Sequence, residues 1–158
     1  MHGVQVTNRV ERPAYVWVAI GLQLATSLLA IPVGIMMVRD PDGPVLGMPQ
    51  AWIDATPFAS WLVPGLFLFA VNGVGQLSAA VFAIVRHPLA PWLTGALGVG
   101  LMAWIAVQVV VMPPHPLQPT LFLVGLVEGL VALGWLRSLG RHTGQRRALL
   151  SSSGPEGA

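Results

Sequence analysis

TLFLVGLVEGLVALGWL, residues 120–136, is an unbroken apolar run with one acidic residue inside it. At a rise of about 1.5 Å per residue it makes about 25 Å of α-helix. That length and that apolarity fit a bilayer span and do not fit an ordinary surface helix. At its centre stands Gly125-Leu126-Val127-Glu128-Gly129. A carboxylate at that depth has no water to solvate it, so something must face it. Gly125 and Gly129 make the small-xxx-small spacing that lets helix backbones approach closely. Projection at about 100° per residue puts Leu121, Gly125, Glu128, Gly129 and Ala132 on one face. Glu128 is therefore expected to point into a helix bundle rather than into lipid.

The rest of the chain has the same character. Of its 158 residues, 54% are hydrophobic and 9% charged, and mean hydropathy is +0.72. Soluble domains carry about a quarter charged residues, so a water-facing surface is missing. There is no cysteine, which removes disulfides, thiolate metal sites and cysteine nucleophiles together. All eight basic residues are arginine, and they give a sequence pI near 10.5. On a soluble domain that would suggest nucleic acid. Here the arginines stand at the boundaries of apolar runs, which points to anionic lipid headgroups and not to nucleic acid. The Ala-, Val-, Gly-, Pro- and Arg-rich, Lys-free composition looks like that of a high-GC genome, and the location expected is the bacterial cytoplasmic (inner) membrane.

Outward from residues 120–136, three more runs are long enough to span: 14–38, 59–85 and 91–112. The first is much longer than the apolar core of a signal peptide, about 7–15 residues, and is read as retained. Pro32 and Gly34 are expected to kink it, because Pro32 cannot donate to the carbonyl of Leu28. The fold class expected is all-α membrane: a four-helix transmembrane bundle over residues 14–137. It is flanked by a polar segment 1–13 and a basic, disordered tail 138–158. Arg9, Arg12, Arg86, Arg137, Arg141, Arg146 and Arg147 fall on one side and Arg39 alone on the other. Seven against one places both termini in the cytoplasm.

The connection 39–58 holds three of the six acidic residues. Asp40-Pro41-Asp42-Gly43 is a turn signal, and Thr56-Pro57 has the form of a helix start with Thr as N-cap. Trp52, Phe58 and Trp61 are expected at headgroup depth. Asp54, His115 and Trp52 are the candidates at the outer mouth. Asp54 and His115 come from separate loops, which is too little for a metal site, and no metal is expected.

Inside the spans, Gln23 lies on a stripe with Ala19, Ser27, Ala30 and Gly34. Asn72 and Gln76 lie on one with Gly65, Ala79 and Ala83. Gln108 shares a face with Leu97, Leu101 and Trp104. Counting rise from the span ends puts Gln108 about 6 Å, Glu128 about 12 Å and Asn72 about 18 Å below the outer side. Glu128 is thus expected between Gln108 and Asn72. Glu128, Asn72, Gln76, Gln108 and Gln23 are the candidate ligand or proton sites. For the amides the plainer role is interhelical hydrogen bonding, worth about 0.6 kcal/mol each and up to about 2. With no Arg or His at its depth, Glu128 is either neutral and hydrogen-bonded or proton-exchanging. No span carries paired histidines for a haem, so no cofactor is expected. No phosphate-binding loop, HExxH or GxSxG occurs, and the glycines of GALGVG (95–100) sit inside a span, where they serve packing.

The elements Asp40-Pro41, Gly43, Leu46-Gly47, Thr56-Pro57-Phe58 and Pro64-Gly65 resemble a pattern in uncharacterised small bacterial four-span integral membrane proteins. That resemblance implies four spans and a role for the outer loop, and it brings no activity, cofactor or catalytic residue. The function expected is non-catalytic: an accessory subunit, or a binder of a lipid or small hydrophobic ligand in an intrabundle cavity near Glu128. Partners would be the bilayer, anionic headgroups at the tail, and a homo-oligomer or larger membrane complex. The alternatives are a proton-linked transporter or channel component, and an intramembrane lipid-modifying enzyme using Glu128, Asp54 or His115.

Overall fold

The computed structural model describes residues 13–54 and 56–152. Residues 1–12, with Arg9 and Arg12, and residues 153–158 lie outside the described residues, as do the side chains of Arg146 and Arg147. Four helices are long and apolar enough to cross a membrane, and they pack as a bundle, so the chain is a multi-pass membrane protein. Helices are what lipid demands, because each closes its backbone hydrogen bonds within itself.

Helix α1 (Ala14–Arg39) runs without a break through Pro32. Leu28, to whose carbonyl Pro32 cannot donate, is itself 76% exposed. A 3₁₀ turn (Pro44–Leu46) and the short α2 (Gln50–Asp54) lead to α3 (Leu62–Ile84). The middle of α3, Leu68–Gly75, is wound as a π-helix. Helix α4 (Ala90–Val111) and helix α5 (Leu117–Ser152) complete the bundle. Helix α5 is 36 residues long. It continues where a disordered tail was expected from residue 138, since nothing between Arg137 and Ser152 breaks a helix by proline.

Glycines bring the helices together. On α1 and α3, a Cβ added to Gly34 would meet the Phe69 backbone at 2.7 Å, one at Gly65 would meet Met37 at 2.5 Å, and one at Gly73 would meet Ile31 at 2.7 Å. On α4 and α5 the contact is Gly98 against Gly125: each would drive a Cβ onto the other's carbonyl, at 2.7 and 2.6 Å. Gly129 lends only its backbone to it: its nitrogen would lie 3.0 Å from a Cβ on Gly98, whereas a Cβ added at Gly129 itself would meet nothing within 4 Å. The Gly125/Gly129 spacing thus marks the helix face but not the closest contact, which pairs one glycine from each helix.

The two ends differ. At the end formed by residues 40–61, the cap end, Met37, Ile53 and Trp61 form a buried cluster with Leu46, Met48, Trp52 and Phe58 against it. Trp61 is 1% exposed, so it is a core residue of the cap and not a headgroup anchor. Gly43, at φ +85°, brings its backbone against the Trp61 ring, and the Pro41 carbonyl accepts from the Trp61 amide at 2.8 Å. Thr56 does not cap a helix. Its hydroxyl donates to the Ile53 carbonyl at 2.7 Å and accepts from the Phe58 amide, closing a local turn, and α3 starts six residues later. At the opposite, turn end, Val16, Ile20, Ala80, Ala83 and Ala90 form the second cluster. There α3 ends in a Schellman arrangement: the His87 amide donates to Phe82, the Arg86 amide donates to Ala83, and Arg86 takes φ 59°.

Candidate functional site

Between the two apolar clusters lie buried polar side chains from all four long helices, in two hydrogen-bonded pairs. Glu128 of α5 is fully buried, and Gln76 Nε2 of α3 donates to its Oε2 at 3.0 Å. Gln23 of α1 donates through Nε2 to Thr94 Oγ1 of α4 at 3.0 Å, and the Thr94 hydroxyl donates onward to the Ala90 carbonyl at 2.9 Å. Asn72, within the π-wound part of α3, is 1% exposed. Among the described residues six buried side-chain atoms have no hydrogen-bond partner: Trp61 Nε1 in the cap, and here Gln23 Oε1, Asn72 Oδ1 and Nδ2, Gln76 Oε1 and Glu128 Oε1. Buried polar atoms in that state are rare and call for a physical reason.

Local sequence explains why these side chains face inward. Gln23, Gly34 and the small residues between them form the inward stripe of α1. The π-winding lies where Asn72, Gly73 and Gly75 fall together on α3. π-turns occur frequently at functional sites. On α4, Thr94, Gly98, Leu101 and Ile105 repeat at helical spacing and are all buried. Glu128 meets α4 at Gly98, where an added Cβ would lie 2.9 Å from the Glu128 Cβ.

Gln108 lies elsewhere. Ten residues of helix, about 15 Å, separate it from Gly98. It lines a cavity of about 110 Å³ under the cap with Trp104, Phe58, Pro64 and Met112. Glu128 pairs with Gln76, one turn beyond Asn72 on α3, and not with Gln108. Helix α5 begins at Leu117, not 120, so Glu128 sits about 16 Å along it, deeper than the span boundary implied. Gln118 makes that start, accepting from the His115 amide at 3.1 Å while its own amide donates to Pro113. Thr94 was not a sequence candidate. Its one available signal was its place two turns before Leu101 on the same face.

At the cap, Asp54 and His115 are both exposed, and Trp52 is half-buried against the Ile53 cluster. His115 Nδ1 accepts from the Leu117 amide at 3.3 Å. No group of three or more His, Asp or Glu side chains gathers among the described residues. The larger void is not the intrabundle cavity expected near Glu128. A groove of about 710 Å³ runs along the outside of the α4–α5 pair, past Gly95, Val99, Met102, Gly129 and Leu133, and Glu128 faces away from it. Among the described side chains every other titratable group stands at an end of the bundle. Tyr15, Arg86, His87, Arg137 and Arg141 lie at the turn end, and Arg39, Asp40, Asp42, Asp54 and His115 at the cap end.

No family model matches this chain, and neither a curated protein nor a solved structure matches it.

Proposed function

We propose that the chain is a non-catalytic integral membrane protein of the bacterial cytoplasmic membrane, both termini inside, that holds an acyl chain or similar apolar ligand in the α4–α5 groove. The resemblance of its cap sequence to small bacterial four-span proteins and the seven-to-one placement of arginine support that location and orientation. In this reading it acts as a binding or accessory subunit, alone or within a homo-oligomer or larger complex, with its Arg-rich C-terminal helix against anionic headgroups. The observation that carries the reading is the groove itself. Its volume of about 710 Å³ lies within the usual range for small-molecule sites, its walls are apolar, and Gly95 and Gly129 thin its floor.

Gly129→Leu tests it without disturbing the bundle, because that side chain would enter open space. Native mass spectrometry of the wild type in mild detergent should find one retained lipid or apolar molecule, and the variant should lose it. A wild type that arrives bare, or a variant that retains as much, refutes the reading.

A second reading has its own support: a proton-linked transport component, built around a fully enclosed Glu128 whose Oε1 has no protein partner. It requires proton flux in liposomes that Glu128→Gln abolishes, and flux indifferent to that change and to pH removes it.

A further inference from the structure

We propose that the molecule held in the α4–α5 groove is a phospholipid with a net negative headgroup, taken from the leaflet at the turn end, and that Arg137 selects it. This rests on the groove reading and names, beyond it, the lipid class, the leaflet and the selecting side chain.

The groove has the depth of one leaflet. Its α4 wall runs from Pro91 to Met102, and its α5 wall from Leu136 back to Leu126. At about 1.5 Å per residue each wall is about 15–17 Å long, half of a hydrocarbon core of about 30 Å. Every lining residue is apolar. The groove therefore starts in the middle of the bundle and reaches the turn end, where Trp92 lines it and is 63% exposed. Tryptophan at the end of a span belongs at headgroup depth. An extended acyl chain of the leaflet on that side matches the groove in length and in chemistry.

Charge selects the headgroup. Along α5 the groove is lined by Leu126, Leu130 and Leu133, at intervals of four and three, and Arg137 is the next position in that series. Arg137 is exposed and follows directly on Leu136, where the groove ends. Arg141 stands one turn further along the helix. An arginine so placed lays its stem on apolar surface and carries its guanidinium to the level of the phosphates, whose oxygens its planar fork fits. Among the described residues the turn end carries Arg86, Arg137 and Arg141 and no carboxylate, whereas the cap end carries Asp40, Asp42 and Asp54 against Arg39. A zwitterionic headgroup would bring an ammonium for which the described turn end has no acidic partner. A net negative headgroup needs only the arginines.

The test is native mass spectrometry of the full-length protein in mild detergent with equimolar phosphatidylglycerol and phosphatidylethanolamine of identical acyl chains. The wild type should retain one lipid and prefer phosphatidylglycerol by about fivefold or more, the factor that one arginine near the surface contributes for an anionic lipid. Arg137→Gln should still retain a lipid, with that preference lowered about fivefold. Arg39→Gln, at the cap end, should leave the preference unchanged, and Gly129→Leu should lose both lipids. Equal retention of the two lipids by the wild type, or an unchanged preference in Arg137→Gln, overturns the proposal and leaves the groove reading standing. A preference that Arg39→Gln lowers as much as Arg137→Gln does is an effect of net charge, and also overturns it. A wild type that arrives bare, or a Gly129→Leu variant that keeps its lipid, refutes the groove reading and this proposal with it. A dimer that Gly129→Leu converts to monomer puts a second copy of the chain in the groove and overturns both.

Discussion

Replacing Gly98 by Ala adds one methyl at the tightest point of the α4–α5 contact. That carbon would lie 2.7 Å from the Gly125 carbonyl oxygen, 2.9 Å from the Glu128 Cβ and 3.0 Å from the Gly129 nitrogen. Ordinary contact begins near 3.4 Å, so the helices must separate by about 0.7 Å, and two of the three obstacles are backbone atoms that cannot rotate away. Overpacking of this order costs about 1–3 kcal/mol. The helix-propensity gain of Ala over Gly, about 1 kcal/mol in water, offsets little, because spans stay helical before and after the bundle assembles. The net loss expected is about 1–2 kcal/mol. Gly129→Ala is the matched control: same helix contact, same chemistry, but no neighbour within 4 Å, so its effect should lie within about 0.5 kcal/mol. Reversible unfolding in mixed micelles, followed by a tryptophan or tertiary-contact signal, measures both. If Gly129→Ala destabilises and Gly98→Ala does not, the helices meet along the Gly125/Gly129 motif instead, and the described contact is refuted.

Three further outcomes follow from the same geometry. Thr94→Val removes the acceptor of Gln23 at nearly constant volume and should cost about 0.6–1.7 kcal/mol; in a double-mutant cycle with Gln23→Leu most of that should disappear, and additive losses would mean the two do not interact. Arg86→Gly should stabilise by about 1 kcal/mol, because Arg86 holds φ 59° at the α3 terminus; a loss in the same unfolding assay would show that its side chain does something there. Gly43→Ala should loosen the cap, since its φ is +85° and the new carbon would lie 2.7 Å from the Met48 carbonyl and 3.0 Å from the Trp61 ring; red-shifted tryptophan emission and faster proteolysis of residues 40–61 would report it, and unchanged values would contradict the packing described.

The architecture was legible because lipid imposes it: runs of apolar residues of about bilayer length leave no alternative to helices. The inward stripes through Gln23 and through Asn72 and Gln76 were legible for a related reason, since a polar residue on a face of small residues has somewhere to go. Thr94 was not, because a lone threonine in a helix carries little polar signal and its partner is 71 positions away. The depth of Glu128 depended on a helix start made by Gln118, a side-chain cap that hydropathy does not register. The π-winding of Leu68–Gly75 escapes any projection that assumes a constant turn. The choice of Gly98 over Gly129 as the glycine that meets its neighbour depends on how two helices are rotated against each other, which one helix's sequence does not contain.

The length of α5 has a mechanical consequence. From Glu128 to Ser152 the helix extends 24 residues, about 36 Å, with no proline or break along it. It is a lever whose fulcrum is the Gly98–Gly125 contact beside Glu128. A tilt of about 5° about that point, a displacement of tenths of an ångström at the carboxyl, carries the far tip by about 3 Å. Whatever alters the fit of α5 at the buried centre is thus transmitted, enlarged, beyond Arg137 to where the chain leaves the bundle.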